Sequence, residues 1–121
     1  MFSIHVGDWV NELRFGGEYV LTFRVYKRFY SRMQSREKLY ELRRASPYWN
    51  TRLGRARRTL DMKGTVKAVV LCGRGQREIF DVDHITLYTG NARPEGYPAD
   101  ELSTVAPPTG GMWAFWRVSL R

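Results

Sequence analysis

The stretch Glu18-Tyr19-Val20-Leu21-Thr22-Phe23-Arg24-Val25-Tyr26-Lys27-Arg28-Phe29 decides the fold. Side chains alternate across a strand, so Tyr19, Leu21, Phe23 and Val25 share one face and Val20, Thr22, Arg24 and Tyr26 the other. The first face is apolar and belongs in a core. The second is mixed, as expected of a strand lining a cleft. A β-strand is therefore predicted over 18–29. Asp8 can cap a short helix from Trp9 to Phe15 before it, with Gly16-Gly17 as the stop.

Beyond the strand, Ser31-Arg32-Met33-Gln34 has the form of a capping box, which predicts a helix over 32–44 ended by Pro47. Residues 48–63 show no clear periodicity and read as an irregular, arginine-rich connection. Thr65 to Leu71 is β-branched and apolar, and Gly73-Arg74-Gly75-Gln76 is a hairpin turn into a strand over 77–82. A further short strand is expected over 84–87, and a short helix over 97–105, with Pro98 at its start and Asp100 and Glu101 in its first turn. The last strand, 112–120, turns Met112, Ala114, Trp116, Val118 and Leu120 to one side. The sum is a small α+β domain: a mostly β barrel of five or six strands with two or three short helices.

At 121 residues the chain has the size of one domain, 1–121. Its one cysteine, Cys72, excludes an internal disulfide and a cysteine-rich zinc site, and its apolar strand makes it a small buried hydrophobe. His5 and His84 stand apart from other metal-ligating residues, so no metal or other cofactor is expected. No apolar run approaches the roughly 18 residues of a spanning helix, and the N-terminus lacks the pattern of a secretory signal. The expected setting is the cytoplasm, away from membranes. No P-loop, HExxH or GxSxG motif marks a catalytic centre.

The charge is unevenly placed. Residues 27–58 hold eleven cations against Glu37 and Glu41, a surplus of nine, while the whole chain carries +8. The body of the protein is thus close to neutral. Nine of the eleven cations are arginine, whose planar fork matches phosphate oxygens and stacks on bases. Phe29, Tyr30, Tyr40, Tyr48 and Trp49 lie among them. Arginines interleaved with aromatics suit single-stranded or irregular nucleic acid. The expected phosphate contacts are Arg28, Arg36, Arg43, Arg44, Arg52, Arg55, Arg57 and Arg58. A solvated basic face, or a module that binds an acidic protein, are the alternatives this feature leaves open.

Two stretches carry a resemblance. Gly17, Thr22 and Arg24 stand at the spacing of G-x-K-x-x-[TE]-x-R behind a short amphipathic helix, with Tyr19 in the place of lysine. Ala92-Arg93-Pro94-Glu95-Gly96-Tyr97-Pro98-Ala99-Asp100-Glu101-Leu102 follows A-x-x-E-G-[FY]-x-x-x-E-L and precedes a final strand. Together they resemble ASCH domains of the PUA-like superfamily, with the Arg-rich segment at about 27–63 as a basic insertion.

The resemblance implies a PUA-like barrel that binds nucleic acid, RNA in preference to DNA, with a nucleobase cleft near Tyr19, Thr22, Arg24 and Glu95. Some family members hydrolyse N4-acetylcytidine and others have been described as ribonucleases. By motif position Thr22 and Glu95 would then be catalytic. A neutral phenol at position 19 does not replace a lysine base, which favours binding over turnover. Each residue also has a plainer role. Tyr19 can be core, Thr22 an ordinary strand residue, Glu95 a turn residue, and Arg24 an ion-pair partner of Glu95.

Overall fold

The computed structural model describes residues 17–121. The expected helix over 9–15 lies outside them. The described chain is α+β, with eight elements: β1 (Glu18–Arg24), α1 (Lys27–Gln34), β2 (Tyr40–Arg44), α2 (Pro47–Asp61), β3 (Thr65–Cys72), β4 (Gln76–Gly90), α3 (Ala99–Leu102) and β5 (Trp113–Leu120). One mixed sheet runs in the order β1-β3-β4-β5-β2, with β1 parallel to β3 and the other pairs antiparallel.

β1 buries Tyr19, Leu21 and Phe23, as its alternation requires. It is shorter than the expected 18–29. After Val25, whose N–H donates to the Leu71 carbonyl, the apolar period changes from two to that of a helix. Phe29, Tyr30 and Met33 then fall on one face of α1 and are buried. Ser31 is consequently inside a helix and not its cap; its carbonyl accepts from the Ser35 N–H. The predicted helix over 32–44 is replaced by the end of α1 and by β2. Leu39 and Leu42 imitate a helical stripe, yet Leu39 packs on the main core and Leu42 in a second cluster.

Residues 48–63 are not irregular. Ser46 caps α2 by accepting from the Trp49 N–H at 3.3 Å, and Pro47 takes the first turn. Proline is preorganised there and its missing donor costs nothing. Trp49, Leu53, Ala56 and Leu60 make a helical stripe against the core, and the arginines fill the other face. The basic segment thus supplies two helices, an edge strand and core side chains.

β3, the Gly73–Gly75 turn and the terminal strand match expectation to within a residue or two. The two strands expected over 77–87 are one long β4. Its first half pairs with β3, its second with β5, and a bulge at Val82/His84 lets it turn between them. α3 is shorter than the expected 97–105 and starts after Pro98, whose carbonyl accepts from the Glu101 and Leu102 N–H groups. β5 is covered on both faces. Trp116, Val118 and Leu120 join the main core, and Phe115 packs with Leu42 and Val105.

The sheet is not closed by ladder bonds. β1 and β2 are its edges, and a side chain links one to the backbone of the other: Arg43 of β2 donates from Nη2 to the Arg24 carbonyl at 2.7 Å. Among the described residues no helix is long and apolar enough to cross a membrane, and no group of three His, Cys, Asp or Glu is placed to hold a metal ion.

Candidate functional site

The gap between the two edges opens as a cleft of about 360 Å3. The end of β1 supplies Arg24 and Val25, the start of α1 Tyr26 and Phe29, the entry and body of β2 Lys38 and Glu41 to Arg44, and the α3 region Glu101 and Thr104. Four of its charged side chains, Lys38, Glu41, Arg43 and Glu101, are paired. Lys38, only 3% exposed, donates from Nζ to the Tyr40 carbonyl at 2.7 Å and to Glu41 Oε1 at 3.0 Å. The other Glu41 oxygen accepts from Arg43 Nε at 2.8 Å. The Arg43 guanidinium also lies over the Phe23 and Trp49 rings, 5.3 and 5.2 Å from their centres. An ammonium has three donors, and the described residues occupy two on Lys38.

The opposite wall is held by Glu101, also 3% exposed. Its carboxylate accepts from Arg32 Nη1 at 2.7 Å and from the Tyr40 hydroxyl. Arg32 also forks onto Asp100 at 3.1 and 2.8 Å, which locks α3 to α1. Hydrogen bonds to Asp100 and Glu101 raise the Arg32 pKa above that of an ordinary guanidinium. The same Arg32 contact lowers that of Asp100 below the usual carboxylate range. Burial first, and then the Glu101 carboxylate, raise that of Tyr40, so its phenol stays protonated and donates. Arg117 stacks on the Tyr40 ring at 4.6 Å and donates to the Tyr97 hydroxyl at 2.7 Å, which fixes the back of this wall.

The four residues expected to form the cleft are not all brought together; only Tyr19 and Thr22 share a lining, that of a second groove. Arg24 lines the cleft. Tyr19 is 8% exposed and sits in the main core. Thr22 faces outward from β1 into a separate groove with Tyr48, Trp49 and Arg52. Glu95 is exposed between β4 and α3 and lines neither depression.

The residues that sequence reading missed, Lys38, Glu41 and Glu101, did carry a signal, and Arg43, expected on phosphate, sits with them in the cleft. Lys38-Leu39-Tyr40-Glu41-Leu42-Arg43 fits K-x-x-[TE]-x-R with its lysine in place. Arg36 holds the glycine position of that pattern at a positive φ of 69°. Glu101-Leu102 is the E-L that ends the second stretch.

The eight arginines expected on phosphates divide into two groups. Arg28 pairs with Asp100, Arg36 with Glu78 and Arg43 with Glu41. Arg44 stands at the cleft, with Nη2 on the Ala106 carbonyl at 2.7 Å. Arg52, Arg55, Arg57 and Arg58 are carried on α2, where Arg52 lies 3.5 Å over the Tyr48 ring and Arg57 5.7 Å from that of Trp116. Arg24 and Arg44 bring positive charge to the cleft, and α2 carries four further arginines. A scan against protein-family models finds none that matches the chain, and no curated protein matches it.

Proposed function

We propose that the chain is an ASCH-type, PUA-like nucleic-acid-binding domain, with RNA favoured over DNA, whose cleft takes a nucleobase. The observation that carries this reading is the meeting of Lys38, Glu41 and Arg43, at K-x-x-[TE]-x-R spacing, with Glu101 in one cleft between the sheet edges. Fixed donors and acceptors on its walls suit the edge of a base, and Tyr26 and Phe29 offer ring surface. Arg24, Arg44 and α2 supply the charge for the backbone.

Lys38 also supports a second reading, hydrolysis of an acylated base such as N4-acetylcytidine. That reading no longer lacks a lysine. However, Glu41 stands where a threonine nucleophile would, so water would be the attacking group, with a carboxylate to accept its proton.

Filter binding of single- and double-stranded RNA and DNA at two salt concentrations tests the first reading. Tight, salt-sensitive binding of single-stranded RNA is expected, and no binding at low salt overturns it. Release of acetate from N4-acetylcytidine, abolished by Glu41→Gln in folded protein, would replace it with the second.

A further inference from the structure

The outward face of β1 runs Val20, Thr22, Arg24. Arg24 lines the cleft, whereas Val20 and Thr22 line a second groove of about 240 Å3 against the first turn of α2. A single edge strand thus floors two adjacent depressions, and the step from Thr22 to Arg24 is roughly 6.6 Å. The ridge between them is rigid. Trp49 stacks on Phe23 at 5.2 Å between ring centres, while Arg43, which lines the cleft, lies over the Trp49 ring.

The second groove is built from groups that take up a base. Tyr48 is 53% exposed, packs edge-on against Trp49 at 5.0 Å, and carries the Arg52 guanidinium on its face. Such a pair offers stacking and positive charge together. The hydroxyl of Thr22 adds a polar group. Among the described residues no acidic side chain lines this groove.

We propose that the groove of Thr22, Tyr48 and Arg52 is a second nucleotide subsite, so that the ligand is a single-stranded oligonucleotide of at least two residues and not a free nucleoside. This rests on the cleft taking a nucleobase. The spacing along β1 is of the order of one step in an extended strand. One nucleotide sits in the cleft and its neighbour stacks at Tyr48, with the phosphate between them near Arg24 and Arg52.

The test is a length series, oligouridylates of one to four nucleotides with a 5′-phosphate, bound to wild type and to a Tyr48→Ala/Arg52→Gln double variant. Tyr48 is exposed and Arg52 half-buried, neither belongs to the core, and a matching thermal melt shows that the variant is folded. The second nucleotide is expected to tighten binding by roughly tenfold in wild type. In the double variant that gain, read as the ratio of dinucleotide to mononucleotide affinity, should fall to about one. A gain that survives in the variant, or that is absent from wild type although the mononucleotide binds, overturns the subsite and leaves the cleft reading standing. Tighter binding of a duplex than of the single strand also overturns it. If neither the mononucleotide nor any oligomer binds, the cleft reading itself fails.

Discussion

Lys38 Nζ lies 3.0 Å from Glu41 Oε1, and both side chains are almost wholly withdrawn from solvent while facing the same cleft. Charges removed from water are tolerated only when each is neutralised and hydrogen-bonded, as these are by the Tyr40 carbonyl and Arg43.

Removing one partner leaves the other under-compensated: Glu41 keeps only Arg43, and Lys38 keeps only the Tyr40 carbonyl. Lys38→Met or Glu41→Gln alone is expected to cost about 3–5 kcal/mol of stability. The double variant should cost clearly less than the sum, because the charges leave together. Urea denaturation of the four proteins measures this, and additive losses would show that the pair is not coupled.

Tyr40 predicts the alkaline limb of stability. Its phenol has a raised pKa in the fold, from burial and from Glu101, and burial raises that of Tyr30 as well. Above about pH 10 unfolded tyrosines ionise while these two keep their protons, so stability falls as pH rises. Tyr40→Phe should flatten part of that fall. At neutral pH it should cost about 1–3 kcal/mol, since Glu101 loses a donor. An unchanged alkaline slope would contradict the assignment.

Asp100 acts at the other end of the scale. Its folded pKa lies below the unfolded value of 3.8, chiefly through Arg32, so its contribution is present above that value and is lost as pH falls through the folded pKa. Asp100→Asn should lower stability at neutral pH and reduce the steepness of acid unfolding, measured by circular dichroism from about pH 6 downward. Equal acid slopes would count against the Arg32 fork.

α2 has a glycine in mid-helix and is followed, past its cap, by a lysine where a glycine belongs. A Cβ added at Gly54 meets nothing within 4 Å. Lys63 has a φ of 65°; its N–H reaches the Leu60 carbonyl, and that of Gly64 the Thr59 carbonyl. This is a Schellman ending, whose left-handed position favours glycine. Gly54→Ala and Lys63→Gly are each expected to stabilise by about 0.5–1 kcal/mol in thermal melts. Destabilisation by either would show that the site is constrained by more than its backbone.

The arginines should separate by role. Arg44→Gln, Arg55→Gln and Arg57→Gln are expected to weaken RNA binding, with little change in stability. Each should lower the slope of log affinity against log salt by about 0.7, the share of one phosphate on a single strand. Arg43→Gln should instead destabilise the fold, because it opens the Glu41 pair and the link to Arg24.

The parts of the fold legible in the sequence are those with one unambiguous period: 18–24, 65–72 and 113–120. In the segment 27–63 local signals compete. Ser31 and Gln34 match a cap without capping, Pro47 reads as a stop although it begins a helix, and Leu39 and Leu42 sit at helical spacing within the entry to a strand. The helical spacing of Trp49, Leu53, Ala56 and Leu60 is present beneath the arginines. For the cleft, one pattern fits two strands. Gly17 and Arg24 satisfy its ends on β1, whereas only Lys38, before β2, satisfies its lysine.

The parallel seam between β1 and β3 has a kinetic consequence. Glu18 pairs with Thr65, so β1 docks only after α1, β2 and α2 have crossed between them, whereas β3 and β4 meet across the Gly73–Gly75 turn. Loop-closure entropy favours the hairpin first and the long crossover late. The cleft needs both sheet edges, hence the slow seam and the β2–β5 pairing together. In a refolding experiment, ligand binding should therefore return after most of the β-sheet signal, and its lag should report the docking of the N-terminal strand.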